Sequence, residues 1–123
     1  MNGSEWVVEA YGCDPMRLAS LVALRAVFDA AVDELGLHPV GAAQWHQFPA
    51  PGGVTGLQML SESHLTVHTF PEHASLCLNL FCCTPRPEWP WADRLAALVG
   101  ASSVMVRQLE RAYHHPLTVA ALP

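Results

Sequence analysis

The run Ser61-Glu62-Ser63-His64-Leu65-Thr66-Val67-His68-Thr69-Phe70-Pro71-Glu72, with Cys83 further on, gathers hydroxyl, carboxylate, imidazole and thiol groups into one short stretch. All six basic residues of the chain are arginine. A chain without lysine cannot hold pyridoxal phosphate or a carbonyl substrate as a lysine Schiff base. A Ser-His-Cys constellation offers another route to amine–carbonyl chemistry, in which the chain makes its own ketone from serine. Each residue taken singly has a plainer role. Ser63 reads as a strand serine, His68 as a satisfied histidine, Cys83 as a small apolar group, and Phe48 and Phe70 as core. Glu72 reads as a solvated loop charge and Glu9 as the partner of an arginine. His64, His68, His73 and the cysteines are metal-ligand types, but no Cys-x-x-Cys or His-Glu-x-x-His spacing joins them, so no metal is expected.

The elements that must position these groups follow from pattern. Trp6 to Tyr11 is a short β-rich run ended by Gly12. Asp14-Pro15 reads as an N-cap with proline at the first helical position. From there Leu18, Leu21, Leu24, Phe28, Val32 and Leu35 form one apolar helical stripe up to Gly36. His38 to Phe48 is expected as a strand, Pro49 to Gly53 as a turn, and Val54–Leu60, Ser63–Phe70 and Ser75–Cys83 as further strands. A proline-rich connection over Thr84–Pro90 leads into a helix at about Trp91 to Val99, Gly100 ends it, and Ser103 to Glu110 is a last strand. This order predicts an α+β fold: a two-layer α/β sandwich, with one mostly antiparallel sheet and two helices packed on one face. Strict alternation puts His64, Thr66, His68 and Phe70 on one face of their strand and Ser63 on the other. Ser63 and His68 can therefore meet within a chain only if the backbone kinks, and a kink is expected there.

With 123 residues, 51% of them hydrophobic and 14% charged, the chain is expected to form one packed domain over 1–123. So low a charge density points to apolar surface buried by self-association. The formal net charge of −5 excludes a nucleic-acid groove and suits a cationic small-molecule substrate. No stretch approaches the roughly 20 apolar residues that span a bilayer, so no membrane is expected. The first residues, Met1 to Glu5, lack the basic and apolar regions of a secretory signal. Cys13, Cys77, Cys82 and Cys83 form no recognisable disulfide framework. Reduced thiols and a cytoplasmic location follow.

The unbroken string from Ser61 to Glu72, its spacing to Cys83, and Tyr11-Gly12-Cys13-Asp14 closely resemble the bacterial and archaeal S-adenosylmethionine decarboxylase proenzymes, which are pyruvoyl enzymes. The resemblance runs from about Trp6 to Glu110. It implies self-cleavage at Glu62-Ser63 into residues 1–62 and 63–123. Ser63 would attack the preceding carbonyl to give an ester, β-elimination would release the upstream chain, and hydrolysis of the dehydroalanine would leave a pyruvoyl group. Attack demands a hydroxyl forced against the preceding carbonyl, so strained backbone is expected at that bond. His68 matches the processing histidine, a neutral imidazole suited to removing the α-proton. Thr55 stands where the family places a hydroxyl that assists the rearrangement. Cys83 matches the acid that returns a proton to the substrate carbon, a thiol being largely protonated at neutral pH. The pyruvoyl carbonyl would condense with an α-amine and accept the electrons released with carbon dioxide.

For substrate contacts the resemblance implies Phe48 against adenine, Phe70 as a second aromatic wall, and Glu72 on the ribose hydroxyls. Glu9, alone in an apolar strand, could meet a cationic end. Relatives of this size form two-fold homodimers of processed chain pairs with sites at the subunit boundary. The implied product is the decarboxylated aminopropyl donor for spermidine synthesis. One departure bears on the pocket: the family has an aspartate where this chain has Asn79. The same chemistry on arginine or ornithine is thus a second reading. A non-processing regulatory homologue is a third, although Ser63, His68 and Cys83 are all present.

Overall fold

The computed structural model describes residues 2–115. The strands are β1 (Asn2–Tyr11), β2 (Gln44–Gln47), β3 (Val54–Leu60), β4 (Ser63–Phe70), β5 (Ser75–Cys82) and β6 (Ser103–Ala112). The helices are α1 (Pro15–Leu18), α2 (Leu21–Glu34) and α3 (Trp91–Val99), with a 3-10 turn at Pro71–His73. The six strands form one sheet in the order β2-β3-β4-β5-β1-β6, and every neighbouring pair is antiparallel.

Strand alternation sorts the two faces. Trp6, Val8 and Ala10 of β1, Leu65 and Val67 of β4, and Leu76, Leu78 and Leu80 of β5 are buried in the core. Leu24, Val27, Phe28 and Ala31 of α2 and Trp91, Leu95 and Val99 of α3 close that core from the helical side. The other face carries Leu57, Met59, Met105 and Leu109, which are 49%, 65%, 53% and 47% exposed. No helix covers them, so one face of the sheet is an open apolar surface.

Two expected elements are shorter or divided. The single helix over 15–35 is broken at Ala19-Ser20. The Asp14 carboxylate caps Met16 N–H at 2.9 Å, and Ser20 Oγ caps Ala23 N–H at 3.2 Å, so a second helix starts at Ser20. The break frees the Leu18 carbonyl, which accepts the Thr69 hydroxyl at 2.7 Å, and Thr69 Oγ1 in turn accepts Val54 N–H at 2.9 Å. This buried relay pins α1 to the centre of the sheet. Of the strand expected over 38–48, only Gln44–Gln47 joins the ladder, with an isolated bridge from Pro39 to Leu60. Proline has no N–H for the ladder, and Gly41 at φ 71° turns the chain aside. No helix among the described residues is long and apolar enough to cross a membrane.

Candidate active site

The link between β3 and β4 is two residues long, Ser61-Glu62, with Leu60 opposite Ser63. Two-residue hairpins ordinarily use mirror-image turns whose positive φ falls on Gly or Asn. Here neither link residue takes positive φ, and the load falls on Ser63, at φ 144°. For a residue with a Cβ this is a sparsely populated conformation costing of order 1–3 kcal/mol. The strain sits on the bond where the chain was expected to rearrange. The carbonyl of that bond is fixed, because Glu62 O accepts Cys83 N–H at 2.7 Å.

The Glu62 side chain, only 5% exposed, is the one buried carboxylate among the described residues. Its Oε1 accepts His38 N–H at 2.9 Å; its Oε2 meets His38 Nδ1 at 2.6 Å and Arg86 Nη2 at 3.2 Å. Burial pushes this carboxyl up, but the hydrogen bonds from His38 outweigh it and hold Glu62 below its ordinary value. Cys83 follows the end of β5 and is half-buried, while Cys82 lies in the core, where burial drives its thiol up to about 11. The two thiols therefore face apart, and no cluster of metal-ligating side chains occurs among the described residues. The Cys83 carbonyl accepts the Tyr113 hydroxyl. Gly3 permits this approach, since a Cβ there would lie 3.0 Å from Tyr113 Oη and 2.8 Å from the Phe81 ring.

A second group gathers further along the open face. Thr55 and His68 are cross-strand partners, and Thr55 Oγ1 meets His68 Nδ1 at 2.6 Å. The His68 ring lies edge-on to Phe48 at 5.7 Å and to Phe70 at 4.6 Å between centroids. Phe48, Phe70, Glu72 and His68 line a groove of about 270 Å³. On its other side His68 borders a cavity of about 350 Å³ with Glu9, Thr55, Cys77 and Asn79. Glu9 pairs with Arg107 through Oε1, while its buried Oε2 has no partner.

The expected kink is present, but it does not bring Ser63 to His68. β4 keeps continuous register on both sides, from Leu60↔Ser63 to Thr55↔His68 and from Ser63↔Cys82 to Phe70↔Ser75. With no bulge to bend the strand, five residues separate the two side chains by roughly 16 Å. One chain thus holds two half-sites, Ser63 with Cys83 and His68 with Thr55, on the same sheet.

Sequence reasoning missed His38, Arg86 and Tyr113. Arg86 is the sole cation of the 84–90 connection, a weak signal; nothing in the sequence marked the other two. The departure at Asn79 has a structural partner: its Nδ2 donates to Glu5 Oε2 at 2.7 Å, and Glu5 also pairs with Arg111. The Asn79 amide is the main reason that the Glu5 carboxyl is held below its ordinary value, with Arg111 assisting against desolvation. An aspartate there would set two carboxylates against each other and raise the pKa of the pair. A carboxyl pKa raised by folding costs stability above that value and releases the cost as pH falls through it. Asn79→Asp is therefore expected to lower Tm by about 5 °C at neutral pH and to converge on the parent near pH 4, read by calorimetry across that range.

The family model described as S-adenosylmethionine decarboxylase matches residues 4–112. An S-adenosylmethionine decarboxylase proenzyme of Geobacillus kaustophilus is 33% identical over 109 residues, covering 89% of this chain and 86% of that protein. S-adenosylmethionine decarboxylase proenzyme 2 of Halalkalibacterium halodurans is 37% identical over 110 residues, covering 89% and 85%. In fold, the chain is similar to the crystal structure of adenosylmethionine decarboxylase from Aquifex aeolicus, with TM-score 0.77 and 22% identity over 94% of each chain.

Proposed function

Since this chain belongs to the S-adenosylmethionine decarboxylase family, we propose that it cleaves itself at Glu62-Ser63 and decarboxylates S-adenosylmethionine with the pyruvoyl group so formed. The observation that carries the reading is the positive φ of Ser63 on a peptide whose carbonyl is already hydrogen-bonded by Cys83 N–H. Ser63 Oγ attacks the Glu62 carbonyl carbon; the new C–O bond replaces the C–N bond, and the hydroxyl proton ends on the freed amine. The Cys83 N–H is placed to stabilise the charge that grows on the carbonyl oxygen. Relief of the strained backbone favours the ester over the amide.

The second step removes the Ser63 α-proton, breaks the Cβ–Oγ bond and releases Glu62 as a carboxylate. The resulting dehydroalanine takes up water and loses ammonia to leave the pyruvoyl cap. His68 is the base for this step: with Nδ1–H donating to Thr55, Nε2 is free to take the proton. Its distance from Ser63 along β4 requires that the base come from a second copy of the chain. A homodimer stacked on its open sheet faces buries Leu57, Met59, Met105 and Leu109. A two-fold axis sets the Ser63 end of each chain against the His68 region of the other, and each interface completes two sites.

The pyruvoyl carbonyl takes the substrate's amine and holds the electrons released with carbon dioxide. This chain's residues do the rest. Phe48 and Phe70 present aromatic surface to the adenine, Glu72 accepts from the ribose hydroxyls, and the unpartnered Glu9 Oε2 attracts the cationic part of the substrate. Cys83, half-exposed beside Ser63, returns the proton to the substrate carbon. That role needs a free thiol, which suits the reducing cytoplasm. The product is the aminopropyl donor used for spermidine. No observation favours arginine or ornithine as substrate, and a regulatory, non-processing role has none behind it either. Denaturing mass spectrometry and a carbon dioxide release assay test the reading together. Two chains ending and beginning at the 62/63 bond, the second with no free amine, and release from S-adenosylmethionine are expected; an intact, inactive chain would overturn it.

A further inference from the structure

We propose that His38 and Arg86 are positioning residues for the self-cleavage: by gripping the Glu62 carboxylate they hold the scissile carbonyl on Cys83 N–H and the Ser63 backbone in its strained form. The inference rests on the cleavage chemistry proposed above and adds to it residues remote in sequence from the motif.

The geometry points to a clamp built from three segments. His38 lies just beyond α2, and its backbone runs beside the hairpin tip, accepting Ser61 N–H through its carbonyl at 2.8 Å. Its own N–H and ring then take both oxygens of Glu62. Arg86 comes from the proline-rich connection after β5. Its Nη1 donates to the Pro85 carbonyl at 3.0 Å and to Thr84 Oγ1 at 3.2 Å, while Nη2 donates to the Gly36 carbonyl at 3.4 Å as well as to Glu62. Charge-assisted bonds of this kind, shielded from water, hold geometry better than neutral ones.

The turn needs such support. Ser61-Glu62 contains no glycine or asparagine, so the local sequence does not favour a tight reversal, and the positive φ is displaced onto Ser63. A strained residue relaxes unless its surroundings over-determine it. On the downstream side Ser63 is held by ladder pairing to Leu60 and Cys82. Upstream, the links that stop the tip from rotating are the bonds to Ser61 N–H, to Glu62 O and to the Glu62 side chain. The side-chain bonds are the ones that substitution can remove. Without them the Glu62–Ser63 peptide can swing off the Cys83 N–H into an ordinary conformation, and attack by Ser63 loses both proximity and charge stabilisation.

The test follows cleavage of freshly translated full-length chain on denaturing gels, for the parent, His38→Ala, Arg86→Ala and Arg86→Lys. His38→Ala and Arg86→Ala are expected to slow conversion by roughly tenfold or more, and Arg86→Lys to recover part of the loss. Hydroxylamine, which cleaves an ester once formed, is expected not to speed either alanine variant, because the ester is what fails to form. The fraction that does cleave is expected to show parental kcat and KM, since neither residue lies in the substrate groove. Cleavage of both alanine variants at the parental rate overturns the clamp. So does a slow variant that hydroxylamine rescues, which would put the defect after the ester. If the parent chain itself stays whole, the self-cleavage reading fails, and the clamp fails with it.

Discussion

Replacing Ser63 with alanine leaves a single uncleaved chain with no decarboxylase activity. The methyl group offers no oxygen to attack the Glu62 carbonyl and none to leave in the elimination, so both steps are lost rather than slowed. The fold should survive, because alanine faces the same backbone restriction at φ 144° and brings no bulk into the β3–β4 link. Mass spectrometry shows one species in place of two, and carbon dioxide release falls to background. Ser63→Thr makes a useful companion, since it keeps the hydroxyl but adds a branch that resists positive φ. Slow, partial cleavage is expected of it, which separates loss of the nucleophile from disturbance of the strained backbone.

Mixed dimers give the second large effect. Ser63→Ala and His68→Ala are each expected to be inactive when expressed alone. Co-expressed, they recover about a quarter of parental activity, because half of the randomly assembled dimers are mixed and each mixed dimer has one intact site of two. That site takes Ser63 from the His68→Ala chain and its base from the partner. Recovery to this level requires a site shared between subunits. Continued inactivity of the co-expressed pair would mean that Ser63 and His68 act within one chain, despite the roughly 16 Å that an unbroken strand puts between them.

Much of this was legible in the sequence, for identifiable reasons. Strands β3, β4 and β5 alternate apolar and polar residues cleanly, and Pro49 to Gly53 and Pro71 punctuate them, so their bounds and faces could be read. The break between α1 and α2 could not, because the apolar stripe runs through it. Ser20 acts as a cap only when the sheet offers Thr69 to take the freed Leu18 carbonyl. The strain at Ser63 followed from the chemistry attached to the motif. What holds it did not, since His38 reaches Glu62 across 24 residues and Arg86 reaches it from the opposite side of the sequence. Asn79 stood out as a departure, yet its partner Glu5 is 74 residues away and only strand pairing brings the two together. The gap between Ser63 and His68 has a different origin: the sequence of one chain carries no direct trace of a second copy's position.

The strand order has a consequence for the life of the protein after it cuts itself. The first fragment carries β1, β2 and β3, and the second carries β4, β5 and β6. In the order β2-β3-β4-β5-β1-β6 the two fragments are therefore interleaved, with shared seams at β3–β4, β5–β1 and β1–β6. Cutting frees neither piece, because β1 is enclosed on both edges by strands of the other chain. Before the cut the sheet forms by a unimolecular reaction; afterwards the same sheet can be rebuilt only when two separate chains meet. Its recovery from unfolding then depends on concentration, as for any obligate assembly. The precursor refolds alone at any dilution, whereas the mature enzyme, once melted in dilute solution, has lost the covalent link that put its strands together.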